Sequence, residues 1–158
     1  MKITFYTFPS ASTPKRVDSD AAIHSGYTSL HSEETRIRMM KIILVANDDE
    51  AQAWLLAHAV LRERRYNTLF AGGCSEVLYF VQHIIPHLII FDYRTSPSKG
   101  LECYDSLSAM DSLKSIPTIL ISANSDHIER EVQTRNIVLL EPSLEISKLL
   151  EIVDQLLI

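Results

Sequence analysis

The sequence predicts an α/β fold, a five-stranded parallel sheet with helices on both faces. Three observations predict it. Apolar runs of strand length recur along the chain, and three are nearly continuous and rich in β-branched residues, as strands buried on both faces require. Segments of helical periodicity lie between them. The connections are short, as α/β units need. Strands alternating with helices build a parallel sheet, and the crossover helices cover both of its faces.

The strands are expected at residues 42–46, 68–71, 88–91, 118–121 and 137–140. Between the first two, Ala53, Leu56, Ala57, Val60 and Leu61 form one helical stripe. Val77, Phe80, Val81 and Ile84 form a second. Residues 101–113 read as a weaker helix, with Leu101, Tyr104, Leu107 and Met110 or Leu113 facing in. Residues 126–134 read as a short polar helix. Ile146, Leu149, Leu150, Val153 and Leu157 form the last stripe.

Residues 1–40 differ from this pattern. They hold eleven Ser or Thr and two Pro, Pro9 and Pro14, without sustained apolar periodicity. They are expected to form a mostly disordered N-terminal extension, with a local strand at residues 3–8 open. The ordered domain is then 41–158. Met39 and Met40 directly precede the first strong apolar run, so translation starting there is a second expectation.

Composition narrows the function. The chain has 158 residues, 15 basic and 20 acidic side chains and a net charge of -5. The charge splits into +1 for residues 1–40 and -6 for the rest. A mildly acidic domain argues against direct binding of nucleic acid or an acidic membrane. No apolar run approaches the roughly 20 residues of a membrane helix, and the first residues are too short for a signal-peptide core. A cytoplasmic location is expected. Cys74 and Cys103 match no metal or redox spacing, and free thiols are expected for them.

In a doubly covered parallel sheet, ligands bind beyond the carboxyl ends of the strands. The first strand ends in Asn47-Asp48-Asp49-Glu50, the third in Asp92. The topology brings these ends together. Clustered carboxylates suit a hard divalent cation such as Mg2+. Asp92 is also an oxygen nucleophile of the kind that forms acyl phosphates. For the run 48–50, capping of the helix that follows is an equal explanation, because acidic residues favour a helix N-terminus. An Asp directly after four apolar strand residues has no such structural reason.

Over residues 41–158 the sequence resembles the receiver domain of two-component response regulators, a flavodoxin-like fold. Ile43 through Glu50 resembles the family's first strand and acidic turn. Ile89-Ile90-Phe91-Asp92 resembles its third strand and phospho-acceptor, and Gly100 fits the glycine of the following loop. Ile119-Leu120-Ile121-Ser122-Ala123 resembles its fourth strand and signalling hydroxyl. Leu139-Leu140-Glu141-Pro142 stands where the family has Lys-Pro.

The resemblance implies that Asp92 accepts phosphate from a histidine kinase. Asp48, Asp92 and the backbone carbonyl of Arg94 would hold Mg2+, with Asn47 beside them. Ser122 would bind the phosphoryl group. Any enzymatic activity would be Mg2+-dependent self-phosphorylation and dephosphorylation at Asp92. With the chain ending at Ile158, a stand-alone receiver acting on another signalling protein is expected.

The sequence also departs from the family. Asn47 replaces a carboxylate, which weakens Mg2+ binding. Glu141 replaces the Lys that contacts the phosphoryl group. At an effective dielectric of 20, unit charges about 4 Å apart interact by about 4 kcal/mol, so the reversal is costly. Val138 stands where a switch aromatic is expected, Pro97 lies one position late, and the stretch from Ser122 to Glu141 is short. The alternative is therefore a pseudo-receiver, a protein-binding module independent of phosphorylation. A flavodoxin-like nucleotide binder is a remote third reading, since no G-x-G-x-x-G follows the first strand and Ala71-Gly72-Gly73 alone is a poor phosphate cradle.

Other residues have plainer explanations. Arg62, Arg64 and Arg65 complement a helix carboxyl end. His83 and His87 are separated by Pro86, which breaks a shared helix face. His58 and His127 have no second candidate metal ligand at useful spacing in the sequence. Trp54 is expected in the core.

Overall fold

The structure is a computed structural model that describes residues 40–62, 66–123 and 125–158. Of the extension expected to be disordered at 1–40, all but Met40 lies outside the described residues, with the strand at 3–8 and Met39 of the proposed start, as do Arg64 and Arg65. So do the side chains of Ala53, Trp54, Ala57 and Leu61.

Five strands and five helices alternate. They are β1 (Lys41–Ala46), α1 (Glu50–Leu61), β2 (Tyr66–Ala71), α2 (Cys74–Val81), β3 (Leu88–Asp92), α3 (Pro97–Ser108), β4 (Thr118–Ile121), α4 (Ser125–Gln133), β5 (Ile137–Leu140) and α5 (Ile146–Leu156). All strand pairs are parallel, in the order β2-β1-β3-β4-β5. The order reverses at β1, so the crevice beyond the ends of β1 and β3 is the switch point.

The apolar strands divide their side chains between two cores. Ile43, Val45, Ile90, Ile119 and Ile121 pack against Leu56 and Val60 of α1 and Leu149 and Val153 of α5. Leu44, Ala46, Ile89, Phe91 and Leu120 pack the other face, against Val77, Leu101, Leu107, Ile128 and Val132 of α2, α3 and α4. Successive strand residues point to opposite faces, so a continuous apolar run fills both layers. Each fully buried Val, Leu, Ile or Phe contributes about 1.5–3 kcal/mol relative to exposure.

Three expectations need correction. The helix expected at 101–113 runs from Pro97 to Ser108. Proline suits a first helical turn, and the chain then leaves the helix through bonds from Met110 and Leu113 N–H to Leu107 and Met110 carbonyls. Leu113 is buried from that turn, while Met110 is exposed. Ile146, expected in the last stripe, is also exposed because it opens α5 at the rim.

The third correction concerns the cysteines. Cys74 and Cys103 form a disulfide, with Cα atoms 5.6 Å apart. Cys74 opens α2 and Cys103 sits inside α3, and these helices are neighbours on one sheet face. That adjacency comes from the topology and leaves no trace in a separation of 29 residues. Among the described residues no helix is long and apolar enough to cross a membrane.

Candidate functional site

The carboxyl ends of the strands carry the expected residues. Asp92 is the last residue of β3, level with Ile121 of β4, and only 1% exposed. Asn47 and Ser122 follow β1 and β4 directly and are buried. Asn47 N–H donates to the Ala71 carbonyl at 3.1 Å, continuing the ladder with β2. Ser122 N–H donates to the Leu140 carbonyl at 3.0 Å, which ties the end of β4 to β5. Asp48 lies at the surface of the same pocket.

Asp49 turns out to be a capping residue. Its Oδ1 accepts from the N–H groups of Ala51 and Gln52 at 3.1 and 3.2 Å, the first turn of α1. An Asp in this place satisfies backbone donors that have no partner within the helix. The acidic run is thus divided between a helix cap at Asp49 and the pocket at Asp48.

The β3–α3 loop and the first turn of α3 each supply one cation to that pocket. The guanidinium of Arg94 grips Asp92 through both oxygens, Nε to Oδ1 at 2.9 Å and Nη2 to Oδ2 at 3.2 Å. The Asp92 side chain is fully buried in this pair, while that of Arg94 keeps 38% exposure. Lys99 Nζ donates to Asp48 Oδ2 at 3.0 Å. The family resemblance assigns a role to the backbone carbonyl of Arg94 alone and none to Lys99. Both left a signal. Asp92 and Arg94 are two apart where the chain bends out of β3, close enough for a long guanidinium side chain to reach back to the strand end. Lys99 is a cation in a helix's first turn, against the helix dipole, so helix stability does not explain it.

The oxygens that the resemblance assigns to Mg2+ are engaged by protein donors. Asn47 Oδ1 accepts from Asp49 N–H at 2.7 Å. The Arg94 carbonyl accepts from Ala123 N–H at 3.1 Å. Asp92 and Asp48 accept from Arg94 and Lys99 as above. The bond from Asp49 N–H also fixes the amide orientation of Asn47 and leaves its Nδ2 buried without a partner. A buried N–H donor has the wrong polarity for a cation. Among the described residues no three Asp, Glu, His or Cys side chains gather to hold a metal. The donor set as arranged does not fit a divalent ion.

Glu141 follows β5 and is exposed. It lines a groove of about 460 Å³ between α4 and β5, with Asp126, Glu129 and Arg135. Arg135 is itself held by Asp105 of α3 in a two-pronged pair at 2.8 and 2.9 Å. That hydrogen bond, first, and the nearby charge hold the Asp105 carboxyl below its ordinary range. Tyr93, between Asp92 and Arg94, is buried. Burial first, and the charge of Asp48 second, raise its phenol above the usual value. Gly100 sits where α3 meets the sheet: a Cβ there would lie 2.8 Å from Leu120 Cδ1 and 3.2 Å from Tyr93.

The residues with plainer explanations also find partners. His83 Nδ1 contacts the Tyr79 carbonyl at 3.0 Å. His87 Nδ1 accepts from Ile42 N–H at 3.1 Å. Gly72 N–H donates to Glu76 of α2 at 2.8 Å.

No protein-family model and no curated protein matches the chain. Solved structures do. The chemotaxis response regulator CheY4 of Vibrio cholerae is 18% identical, with a TM-score of 0.64 over 74% of this chain and 98% of that one. A response regulator receiver protein from Pseudomonas putida is 24% identical, with a TM-score of 0.64 over 73% and 97%. The receiver domain of a signal transduction histidine kinase from Syntrophus aciditrophicus is 26% identical, with a TM-score of 0.63 over 74% and 89%. Over about three quarters of its length this chain has the receiver fold of CheY-like response regulators.

Proposed function

We propose that the chain is a receiver-type module of two-component signalling that works by docking another signalling protein, without carrying phosphate on Asp92. One observation carries this reading: the buried carboxylate of Asp92 gives both oxygens to Arg94 of its own chain. A nucleophile needs a free lone pair aimed at phosphorus. Here each oxygen is held and its charge balanced by a rigid guanidinium fork, so the buried carboxylate is paired within the chain and not presented to a donor. Glu141 adds to the case, since the cation that would meet a new phosphoryl group from β5 is replaced by an anion.

The partner in this proposal is a histidine kinase or another protein of the same signalling system. The proposed setting is cytoplasmic. The Cys74–Cys103 bond is the feature that speaks for an oxidising compartment.

A second reading, the phosphotransfer receiver, is favoured by the position of Asp92. It ends β3 at the switch point, one strand from the buried Ser122. The two readings part on one event. The protein is incubated with acetyl phosphate and Mg2+ beside a working receiver, and its intact mass is measured. The proposal expects no adduct. A phosphoryl group mapped to Asp92 overturns it in favour of the second reading.

A further inference from the structure

We infer that Arg94, helped by Lys99, replaces the divalent cation of this pocket, so that the site is charge-balanced by the chain itself and becomes a cation site only when Arg94 is removed. The inference concerns the metal and goes beyond the reading of Asp92 as silent toward phosphate.

Four observations carry it. First, the side chain of Asp92 has no exposure, so it needs a counter-charge inside the protein, and the guanidinium meets both of its oxygens. Second, the other three candidate ligands each already accept a hydrogen bond from the chain: Asp48 from Lys99, Asn47 Oδ1 from Asp49 N–H, and the Arg94 carbonyl from Ala123 N–H. Third, two carboxylates already meet two cations. A divalent ion added to these four groups would bring an uncompensated double charge against Arg94 and Lys99 at close range. Fourth, the orphaned N–H of Asn47 calls for an acceptor, not for a cation.

Arg94 is the dominant member. Its pair with Asp92 is two-pronged and half sealed from water, whereas Lys99 and Asp48 are both about half exposed and screened. Mg2+ also sheds its water reluctantly, so it competes poorly against a preformed fork. In this account Arg94 is a positioning residue. It holds the carboxylate and excludes the ion.

The test uses the full chain and three variants, Arg94→Ala, Arg94→Gln and Lys99→Met. Thermal unfolding is followed in EDTA and in millimolar MgCl2 at matched ionic strength, with Mg2+ titrated by calorimetry. The wild-type Tm should be the same in both solutions. Arg94→Ala should melt lower in EDTA, recover in MgCl2, and bind Mg2+ at least about tenfold more tightly than wild type. Arg94→Gln keeps most of the stem without the charge and carries the same comparison if the alanine variant does not fold. Lys99→Met should shift in the same direction by less.

A wild-type Tm that rises with Mg2+ as much as that of Arg94→Ala overturns the inference. So does an Arg94 variant that loses stability and regains none of it with Mg2+. Failure of the functional proposal reads differently. Phosphorylation of wild-type Asp92 without Mg2+ would sink that proposal and leave this inference standing. Phosphorylation only with Mg2+ would sink both.

Discussion

Asp92 and Arg94 show how one pair can define a site. A carboxylate without exposed surface costs several kcal/mol unless it is paired. Removing Arg94 should therefore cost more than removing the charge it serves. Because Arg94 is 38% exposed and water can enter its place, Arg94→Ala is expected to destabilise the fold by about 2–3 kcal/mol, below the full cost of breaking a buried pair. Asp92→Asn should cost less than about 1 kcal/mol, since the amide needs no counter-charge. Urea unfolding of both variants checks the order. Equal losses would mean that the guanidinium is not what holds the carboxylate.

His87 gives a second test at this scale. Its Nδ1 accepts from Ile42 N–H while the His87 backbone N–H donates to the Ile42 carbonyl, pinning the start of β3 to β1. Only the neutral ring can accept. Burial first, and Lys41 second, lower its pKa from the ordinary 6.5. The folded state then binds fewer protons than the unfolded chain, so stability rises with pH. The contribution is complete above pH about 6.5 and is lost as pH falls through the lowered folded value. His87→Gln keeps an acceptor that does not titrate. It should flatten the loss of denaturant midpoint between neutral and mildly acidic pH, and an unchanged slope would locate that loss elsewhere.

At the scale of elements, the strands were legible because each is a short β-branched run that must fill two cores. Their ends were less so. β3 takes in Asp92 because it pairs level with Ile121, which an apolar pattern cannot register. The apolar stripe of α3 begins only at Leu101, four residues inside the helix, because its first turn, Pro97 to Gly100, carries none. Gly100 lies against Leu120 and Tyr93 through backbone, so the residue that packs most closely there is the one without a side chain. The disulfide was invisible for a related reason. It joins two helices whose proximity is set by strand order. Closing a loop of 29 residues should add about 3–4 kcal/mol on the chain-entropy account. Peptide mapping under non-reducing conditions should recover Cys74 and Cys103 as one linked pair, and reduction should lower the unfolding midpoint. Two alkylatable thiols in protein taken from cells without reductant would show that the bond does not form there.

For the whole molecule, the alternation of strands and helices sufficed to place Asn47, Asp48, Asp92 and Ser122 at one end of the sheet. The order β2-β1-β3-β4-β5 then makes that end a crevice. Position was legible because topology dictates it. Chemistry was legible only in part, because it depends on which side chains turn toward one another. Asp49 turned to the helix, Glu141 to the groove beside α4, and Arg94 and Lys99 to the carboxylates. A receiver fold is thus combined with a pocket whose buried carboxylate and candidate metal ligands are answered from within the chain.

The measurement that meets this claim most directly is the intact mass of the wild-type protein after incubation with acetyl phosphate and Mg2+. The account predicts an unchanged mass while a working receiver in the same solution is modified. A phosphoryl adduct mapped to Asp92 would contradict it.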